Sequence, residues 1–381
     1  MGAFRYLTAG ESHGPGLTII VEGMPADVPL MEDEIAVDLR RRQGGYGRGG
    51  RMLIEQDYAY IMAGVTNGLT TGSPIALTIE NKDYANWKGK TPPPITVPRP
   101  GHADLSGALK YQLKDMRLVL ERSSARETTA RVAAAGVAKA LLRQMGVRVA
   151  GHVMAIGGVE APVPDLPWEE TFDRAEESEV RCWDADATAR MTARIDEAKA
   201  NRDTLGGVVE VVAWGLAPGV GSFVHWDRKL DGRLAGAVMS INAIKGVEIG
   251  DGFASAARPG TQVQDAIRWG GSRPIRASNR AGGTEGGVTN GEPIVVRAAM
   301  KPISTTLTPQ PSVDVRTGKE TVMEYQRSDI CAVPAAAVVV EAMVTLVLAD
   351  AYLEKFGGDN VAETRANMEN FLASIGWEAL T

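Results

Sequence analysis

A chain of 381 residues with 44% hydrophobic and 23% charged residues can bury a full core and hold one large domain or two to three ordinary ones. Two cysteines, Cys182 and Cys331, are too few for a disulfide framework and read as buried or idle thiols in a reducing, cytoplasmic compartment. A net charge of −6 excludes the broad basic surface of a general nucleic-acid binder, and the N-terminus lacks the basic and apolar regions of a signal peptide.

In chain order, the first predicted strand covers about 17–22, just after the loop Gly10-Glu11-Ser12-His13-Gly14-Pro15-Gly16. Flanking glycines let the His13 imidazole approach a ligand closely, as a general acid would; an ordinary loop histidine fits the same local pattern. An acidic helix over about 32–42 leads into the loop 43–51. With Arg40, Arg41, Arg42, Arg48 and Arg51 in and before it, this glycine-rich loop offers guanidinium forks suited to phosphate or carboxylate groups. An arginine/glycine RNA-binding patch is the rival reading, weakened by the loop's brevity, its folded flanks and the acidic chain.

Strands are predicted at about 53–63 and 75–80, and the five prolines within 91–101 prescribe an extended loop. There a second glycine-flanked histidine, His102, stands in Arg99-Pro100-Gly101-His102-Ala103-Asp104. The other two histidines, His152 and His225, fall beside predicted strands and read as structural. Ser124 followed by Glu127 matches a capping box, so a helix is expected from there through Ala130, Ala133, Ala134, Val137, Leu141 and Leu142 to a stop at Gly146. The start of that helix, Arg122-Ser123-Ser124 with Arg126 one turn inside, is either an anion site fit for a cofactor phosphate or a plain cap with surface arginines.

A strand should follow from Val147. Residues 162–205 are acidic and polar, with helical spacing over about 185–200, and read as a solvated surface excursion without chemistry. Next come a strand over 207–214, a helix over about 227–242 with Leu230, Leu234, Ala237, Val238 and Ile241 on one face, and a strand over 294–299. Arg327-Ser328-Asp329 is by default a surface ion pair; buried beside a cofactor, Asp329 would be a base whose charge Arg327 holds. Pro334 suits the first turn of a final helix. Its apolar run over 335–351 is broken by Glu341 and ends at Asp350, as in a core helix rather than a membrane span.

Alternating strands and helices with short strand spacings predict the α+β class (mixed α/β), with a mixed sheet rather than a doubly wound parallel one. A single large domain over 1–381 is preferred. No metal-ligand spacing, dinucleotide fingerprint or GxSxG elbow is found.

The blocks GESHGPGLTIIVEGMPA, RRRQGGYGRGGRM, PRPGHADLSGALKY, ERSSARETTARVAAAGVAKALL, INAIKGVEIGDGF, NRAGGTEGGVTNGEPI, KPISTT and RSDICAVPAAAVVVEAM, in this order, resemble the chorismate synthase family. Only about 162–205 carries little of the resemblance. It implies a β-α-β sandwich, a homotetramer and reduced FMN as cofactor. The implied reaction is a 1,4-anti elimination of the 3-phosphate and a C6 hydrogen from 5-enolpyruvylshikimate 3-phosphate, giving chorismate without net redox change.

By the same resemblance His13 protonates the leaving phosphate, His102 sits near flavin N1, and Asp329 relays the proton from N5. Arg42, Arg48, Arg51, Arg99, Arg126 and Arg327 would face a substrate whose two carboxylates and phosphate, beside the flavin's own phosphate, call for several cations. FMN contacts are implied for Arg122, Ser123, Ser124, Asn242, Ala243, Gly286, the run Lys301, Pro302, Ile303, Ser304 and Thr305, and Arg327. Some members reduce the flavin with NADPH, a role linked by analogy to Arg42 and Arg48. This chain lacks an obvious insertion for it, so NADPH enters only as an indirect reductant. Gly50 and Thr284 depart from the usual family residues. A non-catalytic flavin or phospho-ligand binder of the same fold is the alternative.

Overall fold

The computed structural model describes residues 4–49, 56–323 and 328–377. Four strands, β1 (Arg5–Gly10), β2 (Gly16–Glu22), β3 (Ala59–Ala63) and β4 (Ile75–Glu80), form one antiparallel sheet in the order β1-β2-β4-β3. Alternation decides its faces: Leu17, Ile19, Val21, Ile75, Leu77 and Ile79 are buried, while Thr18, Ile20 and Glu22 turn outward. The sequence reading missed β1, whose inward Tyr6 and Thr8 make no strong apolar face. It exists through its register with β2, from Arg5↔Glu22 to Gly10↔Leu17.

A second sheet holds β5 (Arg148–Ile156), β6 (Val159–Glu160), β7 (Gly207–Trp214), β8 (Ile244–Ile249) and β9 (Ile294–Met300), in the order β8-β9-β7-β5-β6. Every pairing in both sheets is antiparallel, which corrects the expected mixed sheet. Parallel pairing among the described residues is confined to the isolated bridges Ala26–Asn360 and Leu205–Cys331. The expected alternation of strand and helix is present, but the helices form a layer of their own and do not return strands side by side in one direction.

That layer is α1 (Glu32–Gln43), α4 (Glu127–Gln144) and α8 (Val333–Phe356), reached after the short helices α2 (Asp104–Tyr111) and α3 (Arg117–Ser123). α5 (Trp168–Glu177), α6 (Ala185–Ala200), α7 (Leu230–Met239) and the closing α9 (Val361–Ser374) flank it. α4 packs on β1 and β2, α8 packs on β5 and β7, and the two helices pack on each other, giving a β-α-β sandwich. Buried on all sides, α8 needs no polar face. It is long and apolar enough to cross a membrane, and 89% of that stretch is buried inside the fold. Gly151 lets it approach β5 closely, since a Cβ there would stand 2.9 Å from the Ala337 carbonyl.

Glu341 is the one acid in the middle of α8 and is nearly fully buried. Arg41 of α1 and Lys139 of α4 neutralise it at 2.8 and 2.7 Å, and the Gly151 amide donates to it. Arg41 therefore belongs to the core, and Arg40 is exposed.

Three more expectations are revised. Ser124 does not cap α4, which starts at Glu127: its hydroxyl is shared between Ser12 Oγ and the Arg126 amide, and the Glu127 carboxylate serves Thr8 and Arg131. The C-terminal stop holds, with Gly146 at φ 74° and Val147 N donating to Leu142 O. The 162–205 segment is not simply solvated: Phe172, Val180, Met191, Ile195 and Ala198 are buried, and its charges lie mostly on the outer face. His152 is fully buried on β5 against Glu210, but His225 is exposed in a turn beside Asp227, away from any strand.

Candidate active site

The β1–β2 turn carries His13. Two oxygens of Glu121, at the end of α3, hold it: Oε2 accepts from the His13 amide and Oε1 from Nδ1, both at 2.7 Å. The imidazole packs against Trp87 with centroids 4.2 Å apart and the rings tilted by 43°. Asn81, just past β4, braces the turn by donating to the carbonyls of Glu11 (3.0 Å) and Gly14 (2.8 Å).

Asn81 also begins a buried chain of charge. Its Oδ1 accepts from Arg126 Nε (2.8 Å), and Arg126 Nη1 pairs with Asp57. Asp57 Oδ2 lies 3.8 Å from Arg42 Nη1, while Arg42 also donates to Thr128 Oγ1 and the Ala125 carbonyl. Burial pushes the Arg42 guanidinium down to about 10, opposed by Asp57 and assisted by Arg48 and Arg126, so the three arginines share one electrostatic neighbourhood with Asp329. Arg48 Nε faces Asp329 Oδ2 at 3.3 Å, and the Gly49 amide donates to Oδ1 at 2.6 Å. Asp329 pairs with Arg48; Arg327, the partner that the local sequence suggested, and Arg51 lie outside the described residues. Gly47, at φ 84°, makes this junction by accepting from Ile330 N at 2.8 Å. Among the described residues, three guanidiniums meet two carboxylates, an excess of positive charge suited to an anionic ligand.

The second histidine has a similar support. Asp104 Oδ1 accepts from His102 Nδ1 (2.7 Å) and Arg99 Nη2 (2.8 Å), and Oδ2 accepts from Arg99 Nε (2.7 Å) and its backbone amide (3.1 Å). Burial would raise the Asp104 carboxyl; Arg99 and His102 outweigh it and hold it well below the usual range. Gly101, at φ 75°, backs onto the 301–305 run: a Cβ there would meet Lys301 Nζ at 3.4 Å and Ser304 Cβ at 3.7 Å.

Lys301 N donates to the carbonyl of Ala243, a non-glycine residue at φ 68°, and Asn242 Nδ2 donates to Ser123 O at 2.7 Å. Ile303 O accepts from Thr204, and Thr305 is buried. The structure thus joins Ser123, Asn242, Ala243, the run 301–305 and the His102 loop. Arg122, with its side chain 46% exposed, bonds back to Thr8. Gly286 is set apart from these contacts, in a hairpin turn whose Gly287 carbonyl accepts from Ser222 and Leu230.

Two features fit an anionic cofactor. Ser123 Oγ is buried with no hydrogen-bond partner among the described residues, and the Lys301 ammonium is pushed down by burial and by neighbouring Lys245. No group of three or more His, Cys, Asp or Glu side chains among the described residues could hold a metal. Cys182 and Cys331 are free, buried thiols raised by burial.

Sequence reasoning missed Glu121, Asp104, Asp57, Asn81 and Trp87. Glu121 and Asp104 stand inside the quoted blocks beside Arg122 and His102, which was the available signal; Asp57, Asn81 and Trp87 carried none.

The chorismate synthase family model matches residues 4–353. The chorismate synthase of Carboxydothermus hydrogenoformans is 53% identical over 380 residues, covering 98% of this chain and 99% of its own. That of Moorella thermoacetica is 58% identical over 364 residues, covering 93% and 94%. A crystal structure of chorismate synthase is similar at a TM-score of 0.82 and 45% identity, covering 98% of each chain.

Proposed function

The chain belongs to the chorismate synthase family, and we propose how its residues carry out that family's reaction with reduced FMN. It is a carbon–oxygen lyase of the shikimate pathway, eliminating phosphate from 5-enolpyruvylshikimate 3-phosphate to give chorismate. The observation that carries the residue assignment is the pair of imidazoles, each tied at Nδ1 to a carboxylate, together with a buried cluster of arginines.

The buried Ser123 hydroxyl, which has no partner among the described residues, and the Lys301 and Lys245 cations, linked to it through Asn242 and Ala243, suit the phosphate of FMN. Arg122, Ser123, Ser124, Asn242, Ala243, Gly286, the run Lys301 to Thr305, and Arg327 are the residues we assign to holding it. Reduced FMN, when bound, lends electron density to the allylic system as the bond to phosphate breaks.

Arg42, Arg48, Arg99 and Arg126, with Arg51 and Arg327, bind the substrate's carboxylates and phosphate and offset their repulsion. Even lowered to about 10, Arg42 stays charged at neutral pH. His13, with Nδ1 committed to Glu121, donates a proton from Nε2 to the departing phosphate. Asp329 takes up a proton in the elimination: Gly49 engages Oδ1, and Oδ2, the proton-accepting atom, faces Arg48. His102 is assigned to the cofactor ring near N1, oriented by Asp104.

We favour an external supply of electrons over an NADPH site at Arg42 and Arg48, because the chain has no obvious insertion for the nicotinamide nucleotide. We assign the protein to the cytoplasm as a homotetramer; the exposed Leu7, Ile20, Tyr60 and Met62 on the outer face of the first sheet support burial against another copy. The test is an anaerobic assay with photoreduced FMN and 5-enolpyruvylshikimate 3-phosphate, following phosphate release. An absence of phosphate refutes the reading.

A further inference from the structure

We propose that Glu121 is a positioning residue for the proton donor His13, an inference that rests on the elimination reading above. Its side chain is only 10% exposed, and its two oxygens grip two different atoms of one residue, the His13 amide and Nδ1, each at 2.7 Å. A third bond, Ser12 N to the Glu121 carbonyl at 3.0 Å, ties the preceding residue to the same turn of α3.

A carboxylate can only accept, so the hydrogen on Nδ1 is fixed and the exchangeable proton is confined to Nε2. The amide bond sets the backbone of the turn, and the Trp87 ring at 4.2 Å limits rotation of the imidazole. Burial works against ionisation of Glu121, but the two hydrogen bonds from His13 outweigh it and hold the carboxyl below its usual range. Other charges nearby, among the described residues, include Glu11 in the same turn, Asp83, which accepts from the Trp87 indole at 3.2 Å, and Arg117, whose guanidinium lies 6.0 Å from the Trp87 ring and also favours the ionised Glu121.

As a contact for an anionic ligand the residue is unfavourable, since a carboxylate one residue before Arg122 and two before Ser123 repels the anions that site collects. Its placement is explained by what it does to His13: it selects one tautomer and aims one nitrogen.

The experiment compares Glu121→Gln and Glu121→Asp with the parent protein. A Gln side chain can accept from only one of the two His13 donors and turns an NH2 group toward the other. In Glu121→Gln we expect kcat to fall about 10- to 100-fold, with the substrate KM within about twofold and FMN binding and thermal midpoint unchanged. Glu121→Asp, which keeps the carboxylate on a shorter arm, should recover part of kcat. Nitrogen-15 NMR of the FMN-free protein should show His13 protonated at Nδ1 in the parent and not in Glu121→Gln.

Equal losses of kcat, FMN binding and thermal midpoint would mark a purely structural residue and overturn the proposal. So would a parental kcat in Glu121→Gln, or an unaltered His13 tautomer. Failure of the elimination reading shows differently, as a parent protein that releases no phosphate, and the NMR comparison then still decides the positioning role.

Discussion

Replacing Asp104 by Asn tests how far the second histidine depends on its carboxylate. The four bonds that Asp104 accepts, three from Arg99 and one from His102, span 2.7–3.1 Å and pin the loop 99–104 at the start of α2. An Asn side chain keeps one accepting oxygen and presents an NH2 group in place of the other. If that oxygen keeps His102 Nδ1 and Arg99 Nη2, the bonds from Arg99 Nε and N are lost. Hydrogen bonds to charged groups contribute about 1.5–3 kcal/mol each, so the lower bound for the pair is about 3 kcal/mol. At about 1.4 kcal/mol per tenfold, opening of the loop becomes on the order of a hundredfold more frequent.

Among the described contacts, Ser312 Oγ on Pro98 O and the Gly101 contact with Lys301 also hold the loop, at positions away from the Asp104 carboxylate. Opening is therefore local, and the sandwich core, built elsewhere, should unfold at a similar denaturant concentration. Hydrogen exchange should accelerate over residues 99–104 and not in α4, while FMN affinity and turnover both fall. Parental exchange in that loop with parental turnover would refute the claim that Asp104 organises it.

His13→Ala should reduce turnover by about 10²- to 10⁴-fold while retaining FMN binding, measured by anaerobic phosphate release and flavin fluorescence; undiminished turnover removes His13 from the chemistry. Burial opposes the charge on Glu341, but Arg41 and Lys139 outweigh it and lower its carboxyl from 4.5 to about 2. Its contribution is therefore complete above pH 4.5 and is lost as the pH falls below that value. Urea unfolding across that window should show the slope in the parent and its absence in Glu341→Gln, which should also be about 3–5 kcal/mol less stable at pH 7. In Gly206→Ala, the new Cβ would stand 2.2 Å from the Met300 carbonyl and 2.9 Å from Pro302 N. The 300–302 backbone must shift, at about 1–3 kcal/mol, with weaker FMN binding in a fluorescence titration; parental affinity would detach that run from the cofactor.

Much of the architecture was legible in the sequence because it is written in periods shorter than a helix turn or two. Leu230, Leu234 and Val238 announced the buried face of α7, and Pro334 with the run beyond it announced α8. Where two segments compete for one group, local pattern misled. Ser124 and Glu127 have capping-box spacing, yet Ser12 from the β1–β2 turn and Thr8 from β1 take those side chains. β1 needed its neighbour to be a strand at all, and the direction of every strand pair depended on where the helices settled.

The sequence by itself determined the chemical inventory and its local setting: two imidazoles in glycine-bounded turns, arginines gathered in loops, a helix of small apolar residues that only an interior can accept. Those properties reside in single side chains and their immediate backbone. Only the tertiary structure decided which carboxylate answers which cation. Glu121 is 108 residues from His13, Asp57 is 69 from Arg126, and Asp329 is 280 from Gly49. Electrostatic and hydrogen-bond energies fall off with distance through space, and no spacing along the chain encodes that distance.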